Sequence, residues 1–225
     1  MQCLAIDTST DYLSLGLATA AGQWIFHEPV GQQHAERTLP EIARLLTEAG
    51  TTLSELDAIV FGQGPGSFTG LRIACGIAQG LAYSAGLPVI GIPTLDAVAR
   101  QAQGQHAKLL VCLDARMQQV YAACYDGNSG MRLTDISVSA PEELSLADGG
   151  WYGIGSGFGP YAEQLGATLG VHLEGYDSSL RPHAAAYLQL AASGRYQPAK
   201  AEQAELLYVR NKVALTAREQ LALRS

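Results

Sequence analysis

Residues 62–72 read GQGPGSFTGLR, a glycine-rich turn between the apolar run LDAIVF and a stretch with helical patterning. Strand, glycine turn and helix in that order present free backbone N–H groups to an anion. Two phosphate-binding patterns can be tested against it. A P-loop, G-x-x-x-x-G-K-[ST], needs a lysine to reach the outer phosphates, and the first lysine of the chain is Lys108. A dinucleotide fingerprint, G-x-G-x-x-G, wants a third glycine where Gly62 would count to Ser67 and Gly64 to Thr69. It also wants an opening βαβ unit. Two readings remain: a helix start able to hold an anion, or a sharp turn into a tightly packed helix.

The second candidate is the turn after the first apolar run. Asp7 is followed by Thr8, Ser9 and Thr10. A carboxylate beside hydroxyls and free N–H groups suits a hydrated Mg²⁺ and a phosphate, so these four form the candidate cofactor-binding set. An Asx or Ser/Thr turn that satisfies its own backbone uses the same residues, and sequence alone favours it. No metal site and no catalytic residue emerges. The histidines His27, His34, His106, His172 and His183 include no pair spaced three to five apart. There is no G-x-S-x-G elbow and no CxxC among Cys3, Cys75, Cys112 and Cys124. Those thiols sit in apolar runs and read as buried and reduced.

The elements that position these residues follow from periodicity. QCLAID, LSLGLAT (13–19) and WIFHEPV (24–30) read as a β-meander. Residues 34–50 have helical period, with Ala35, Leu39, Ile42, Leu45, Leu46 and Ala49 on one face. Pro40 within them implies a kink or a start near Leu39. Strands follow at 56–62 and 88–93, and helices at 67–86, N-capped by Ser67, and 94–102. The 67–86 helix carries two small-residue stripes, Gly70/Ala74/Ala78 and Gly76/Gly80/Ser84. Helical glycines cost roughly 1 kcal/mol each against alanine, and close approach of another backbone is the usual compensation. One stripe can face the chain's own sheet; the second is a candidate subunit interface.

The pattern then recurs. LLVCLD (109–114) ends on Asp114 as CLAID ends on Asp7, and VYAACYD (120–126) returns as a second strand. Laid without a gap, Leu13 and Leu15 fall on Val120 and Ala122. WYGIGSGFGPY runs again from strand through glycines (Gly155–Gly159) into a helix. The shared order favours duplication over chance. The Asp114 turn lacks the hydroxyls, its neighbours being Ala115 and Arg116.

Composition narrows the partners. A formal net charge of −7 argues against a chain that grips nucleic acid by itself. Arg195, Lys200, Arg210, Lys212, Arg218 and Arg224 read as a solvated helix face. MQCLAIDTST reaches Asp7 at once, so it reads as a strand rather than a signal peptide. No stretch approaches a membrane span, and a cytoplasmic protein is expected.

AIDTST, HAERTLP, GPGSFTGLR, LPVIGIPTLDAVA and DARMQQVYAA together resemble the bacterial TsaB (YeaZ) family across nearly the whole chain. The resemblance implies an α/β protein of the actin/Hsp70/sugar-kinase fold with two ribonuclease-H-like halves. We place these at 1–103 and 104–210, with a terminal helix at about 211–225 packing back on the first. It also implies a non-catalytic scaffold that binds TsaD, the transferase that puts threonylcarbamoyl on the adenosine next to the anticodon of tRNAs reading codons that begin with A. The pair then recruits the ATPase TsaE. The active relative carries a metal-binding histidine pair where this chain reads GIPTLDAVA, with Thr94 and Asp96 but no histidine. The expected partner surface is Ala35, Leu39, Ile42, Leu46, Arg72, Ile73, Gly76, Ile77 and Gly80. The subunit is expected to need no cofactor of its own, ATP and Mg²⁺ being used by the complex, to touch tRNA indirectly, and to form a homodimer when alone. An M22-like metallopeptidase is the alternative, followed by a small-molecule kinase of the same fold.

Overall fold

The computed structural model describes residues 1–209; the helix expected at 211–225 lies outside them. The chain opens with the expected meander, β1 (Cys3–Asp7), β2 (Tyr12–Thr19) and β3 (Gly22–Pro29). Then come α1 (His34–Ala49), β4 (Ala58–Gly64), α2 (Phe68–Ala85), β5 (Val89–Pro93) and α3 (Thr94–Gln101). The first sheet has the order β3-β2-β1-β4-β5, with β1 antiparallel to β2 and parallel to β4.

The second half repeats this plan. It contains β6 (Lys108–Asp114), β7 (Val120–Asp126), β8 (Ser137–Ser139), β9 (Trp151–Ile154), α4 (Ala162–Leu169), β10 (Leu173–Asp177) and α5 (Ala184–Ala192). Its sheet has the order β10-β9-β6-β7-β8, with β6 antiparallel to β7 and parallel to β9. Each strand therefore has a counterpart in the first sheet. Two ribonuclease-H-like halves, each a mixed sheet flanked by helices, make the actin/Hsp70/sugar-kinase fold. The second half is the lighter one: where α1 stands in the first, it has the short 3₁₀ turn Pro141–Glu143 between β8 and β9.

Three sequence expectations are corrected. The gapless overlay of the hairpins is one residue out of register. Asp7 pairs with Ser14, whereas Asp114 pairs with Val120, so the second turn is a residue shorter and Ser14, not Leu13, corresponds to Val120. Because side chains alternate across a strand, one residue exchanges the faces. Second, of the two alternatives at Pro40 the start near Leu39 is excluded: α1 begins at His34 and contains Pro40. Its first turn is anchored: His34 Nε2 lies 3.1 Å from the Tyr12 carbonyl oxygen, and Thr38 Oγ1 donates to the His34 carbonyl at 2.6 Å.

Third, α5 was not foreseen, and it packs on the first sheet. The first sheet has two buried faces. Leu13, Leu15 and Leu17 of β2 point to the α1/α2 side, while the small residues of the other face receive α5. A Cβ on Gly16 would sit 3.0 Å from both Ala184 Cβ and Leu188 Cδ1. Ser14 Oγ accepts from the Ala184 N–H at 2.8 Å. Beyond α5 the chain stays with the first half: Ala199 exchanges backbone hydrogen bonds with Val89, and Leu207 N–H donates to the Gln63 carbonyl. The stretch 184–207, assigned by sequence to the second half, is thus part of the packing of the first. α3 does the reverse, placing Leu95, Val98, Ala99 and Ala102 against the second sheet.

Candidate functional site

The glycine turn closes on the Asp7 turn. Ser67 N–H donates to the Ser9 carbonyl at 2.8 Å, and Thr8 Oγ1 donates to the Gly70 carbonyl at 2.6 Å. A Cβ on Gly70 would lie 1.9 Å from Thr8 O, one on Gly66 2.7 Å from Ser9 O, and one on Gly62 2.0 Å from Asp7 Oδ2. The glycines are there because two backbones and a carboxylate occupy the space of their missing side chains. Ser67 caps α2 as expected, its Oγ accepting from Gly70 N–H.

The Asp7 carboxylate is consumed by the protein. Oδ1 accepts from Ser9 N–H (3.1 Å) and Ser9 Oγ (2.9 Å), and Oδ2 accepts from the Tyr187 hydroxyl of α5 at 2.7 Å. Asp7, Thr8 and Ser9 are buried, and Thr10 stands at the rim of a cleft. Burial pushes the Asp7 carboxyl above its ordinary range, opposed by the bonds from Tyr187 and Ser9. The same burial, with the Asp7 charge next in size, pushes the Tyr187 phenol well above its ordinary value. Of the candidate set Asp7, Thr8, Ser9 and Thr10, the Asp7 carboxylate is thus taken up by Ser9 and Tyr187, and Thr10 faces the cleft. Tyr187 was missed because it lies 180 residues away in a stretch without diagnostic pattern.

The rim belongs to a cleft of about 990 Å³ between the halves, with Thr10, Asp11 and Ser67–Gly70 on one side and Asp114, Arg116 and Ser156 on the other. The Asp114 turn is built by the same rule as its counterpart. Asp114 Oδ1 accepts from Arg116 N–H (2.8 Å) and Tyr161 OH (3.3 Å), and Oδ2 lies 3.4 Å from Arg116 Nη1. Gly155, at φ +105°, leaves room for the Cys112 carbonyl, 2.6 Å from where its Cβ would be. Both turn carboxylates are thus engaged. Among the described residues, no group of three or more His, Cys, Asp or Glu side chains could hold a metal ion. In the GIPTLDAVA segment, Asp96 accepts from Tyr125 OH (2.6 Å) and Tyr196 OH (2.8 Å) and pairs with Arg132 (3.1 Å).

The open feature is the outer face of α2. Its inner stripe, Gly70, Ala74, Ala78 and Ala82, is buried against the first sheet. Outside, Phe68, Arg72, Gly76, Gly80 and Tyr83 are exposed. A Cβ on Gly76 or Gly80 would meet nothing within 4 Å among the described residues. Of the residues expected at a partner surface, Ala35, Leu39, Arg72, Gly76 and Gly80 are exposed, while Leu46, Ile73 and Ile77 are half-buried. Ile42 is a correction: it is 2% exposed and belongs to the core, because α1 turns His34, Thr38, Ile42 and Leu45 inward. The face holds two aromatics that sequence reasoning passed over, Phe68 and Tyr208, about half exposed each.

A family model described as "TsaD: tRNA N6-adenosine threonylcarbamoyltransferase" matches residues 22–148. The tRNA threonylcarbamoyladenosine biosynthesis protein TsaB of Escherichia coli (strain K12) is 36% identical over 95% of this chain and 96% of its own length. The protein of the same name from Haemophilus influenzae is 34% identical over 93% and 94%. The solved structure of YeaZ from Pseudomonas aeruginosa superposes with a TM-score of 0.83 at 37% identity, covering 92% of this chain and 99% of that one. No helix of the described residues is long and apolar enough to cross a membrane. With relatives this similar over nearly their whole length, the chain belongs to the TsaB (YeaZ) family.

Proposed function

We propose that this chain is a non-catalytic subunit in the synthesis of threonylcarbamoyladenosine on tRNA. It binds the transferase TsaD through the outer face of α2 and the neighbouring exposed residues of α1, Ala35 and Leu39, and the pair recruits the ATPase TsaE. On this reading the subunit works in the cytoplasm and carries no cofactor of its own, the complex uses ATP and Mg²⁺, and tRNA is contacted through TsaD.

The observation that carries the reading is the empty space at Gly76 and Gly80. Glycine in a helix interior costs about 1 kcal/mol against alanine, and nothing among the described residues needs the space of the missing methyl groups. A second backbone approaching α2 from outside does need it. In its absence the same face serves a second copy of the chain, which accounts for a homodimer.

Reconstitution tests the proposal: tRNA modification by TsaD and TsaE with and without this chain, and with Gly76→Trp. Omission is expected to abolish turnover. Gly76→Trp is expected to keep its melting temperature and to lose TsaD binding by roughly tenfold or more, about 1.4 kcal/mol. Full modification without the chain, or normal TsaD binding by the folded variant, would overturn the proposal.

A further inference from the structure

α2 spans residues 68–85 and carries a single charged side chain, Arg72. Arg72 is exposed on the outer face, one turn before Gly76. Its Cζ lies 3.3 Å from the centroid of the Phe68 ring and 5.8 Å from that of Tyr208. The two rings are 6.5 Å apart and tilted by 48°. Tyr208 comes from the segment that returns to the first half after α5, so the cluster is built from two distant parts of the chain. Stacking against aromatic faces restrains the guanidinium while leaving its N–H edge free.

Among the described residues that edge has no ion-pair or hydrogen-bond partner. Every other arginine among the described residues has an ion pair or donates a side-chain hydrogen bond to an oxygen. The two arginines of the adjacent α1 are neutralised locally, Arg37 by Glu28 and Glu41 and Arg44 by Glu41 and Glu48. Arg72 is thus a restrained cation without a counter-ion among the described residues, set in an α2 face otherwise free of charge.

We infer that Arg72, held by Phe68 and Tyr208, is the charged anchor of the α2 face and receives an acidic side chain, Asp or Glu, of the partner protein. The inference rests on the α2 face being the partner surface proposed above. A planar guanidinium presents paired donors that match a carboxylate. The glycine-lined surface beside it lets the partner exclude water from the pair, the setting in which a charge pair becomes a binding hot spot. A nucleic-acid backbone fits less well. It is held by several cations at once, and Arg72 stands alone among its neighbours.

The test measures binding of purified TsaD to Arg72→Met, Phe68→Ala and Gly76→Trp at low and high salt. Because Arg72 makes no ion pair or hydrogen bond in the described structure, Arg72→Met is expected to melt as the wild type does. It should bind TsaD roughly 30-fold more weakly, a loss of about 2 kcal/mol, and lose most of the salt dependence. Phe68→Ala should move both readouts the same way by less. If Arg72→Met binds within about twofold of wild type with unchanged salt dependence while Gly76→Trp fails to bind, the anchor is disproved and the interface stands. If neither variant loses affinity, both are disproved. If Arg72→Met leaves TsaD affinity intact but weakens binding of unmodified tRNA to the pair, the group it meets is a phosphate and the inference is overturned.

Discussion

Gly70 and Gly76 lie on one helix, six residues apart, about 9 Å along its axis. A methyl group on the first would sit 1.9 Å from the Thr8 carbonyl oxygen, and on the second would meet none of the described residues within 4 Å. The first glycine, with Gly62 and Gly66, is required by this chain's own packing, where the glycine turn grips the Asp7 turn. The second, with Gly80, is required by none of the described residues. The difference teaches how to read a glycine-rich helix: the same residue type marks an internal contact where a Cβ would clash and, on the proposed function, an external one where it would not.

Gly70→Ala attacks the internal side and carries the largest expected effect. The obstacle is a backbone oxygen, which cannot rotate away as a side chain can. Forcing α2 off the Asp7 turn is expected to cost at least about 2–3 kcal/mol, read as a lowered urea midpoint. A loss below about 0.5 kcal/mol, the range of a neutral surface substitution, would erase the distinction between the two glycine sets.

Tyr187→Phe probes the same side more gently. It removes the donor to Asp7 Oδ2 and leaves that oxygen buried without a partner, at an expected cost of about 1–3 kcal/mol near neutral pH. The pH dependence has a definite sign. Burial raises the Asp7 pKa above its unfolded value of 3.8. Its contribution to stability is therefore fully present below that value and declines as pH rises through the folded pKa. The Tyr187 bond favours the ionised form, so the gap between variant and wild type should widen as pH rises through the same window. Denaturation midpoints of both proteins across that range check it; a gap that narrows with rising pH contradicts the arrangement.

How much of this was legible depended on sequence distance. The meander, the Ser67 cap, the duplication and the two stripes of α2 follow from patterns a few residues long, and the structure has them. Tyr187 pairs with Asp7 across 180 residues, and Tyr208 meets Phe68 through a segment with no periodicity of its own. α5 reads AAAYLQLAA, apolar on nearly every side, so no amphipathic stripe announced it. The alternation of LSLGLAT is large residues on one side and small on the other, both covered. Ile42 shares its register with Leu39 in the sequence, yet the inward face of α1 runs through His34 and Thr38, polar residues that a search for apolar stripes discounts.

Gly76→Ala and Gly80→Ala sharpen the external side and are the smallest changes. Each adds a methyl group into open space and removes the unfolded-state entropy of glycine. Each is therefore expected to raise stability by about 0.5–1 kcal/mol, an increase in urea midpoint opposite in sign to that of Gly70→Ala. If α2 presents the proposed interface, the gain should come with weaker TsaD binding, since the space filled would be the space kept for the partner. That pairing discriminates. A helix that merely tolerates glycine would gain stability and bind unchanged. A helix whose glycines had an internal role would lose stability. Only a face shaped for another backbone gains one and loses the other, and combining the two alanines should deepen both effects together.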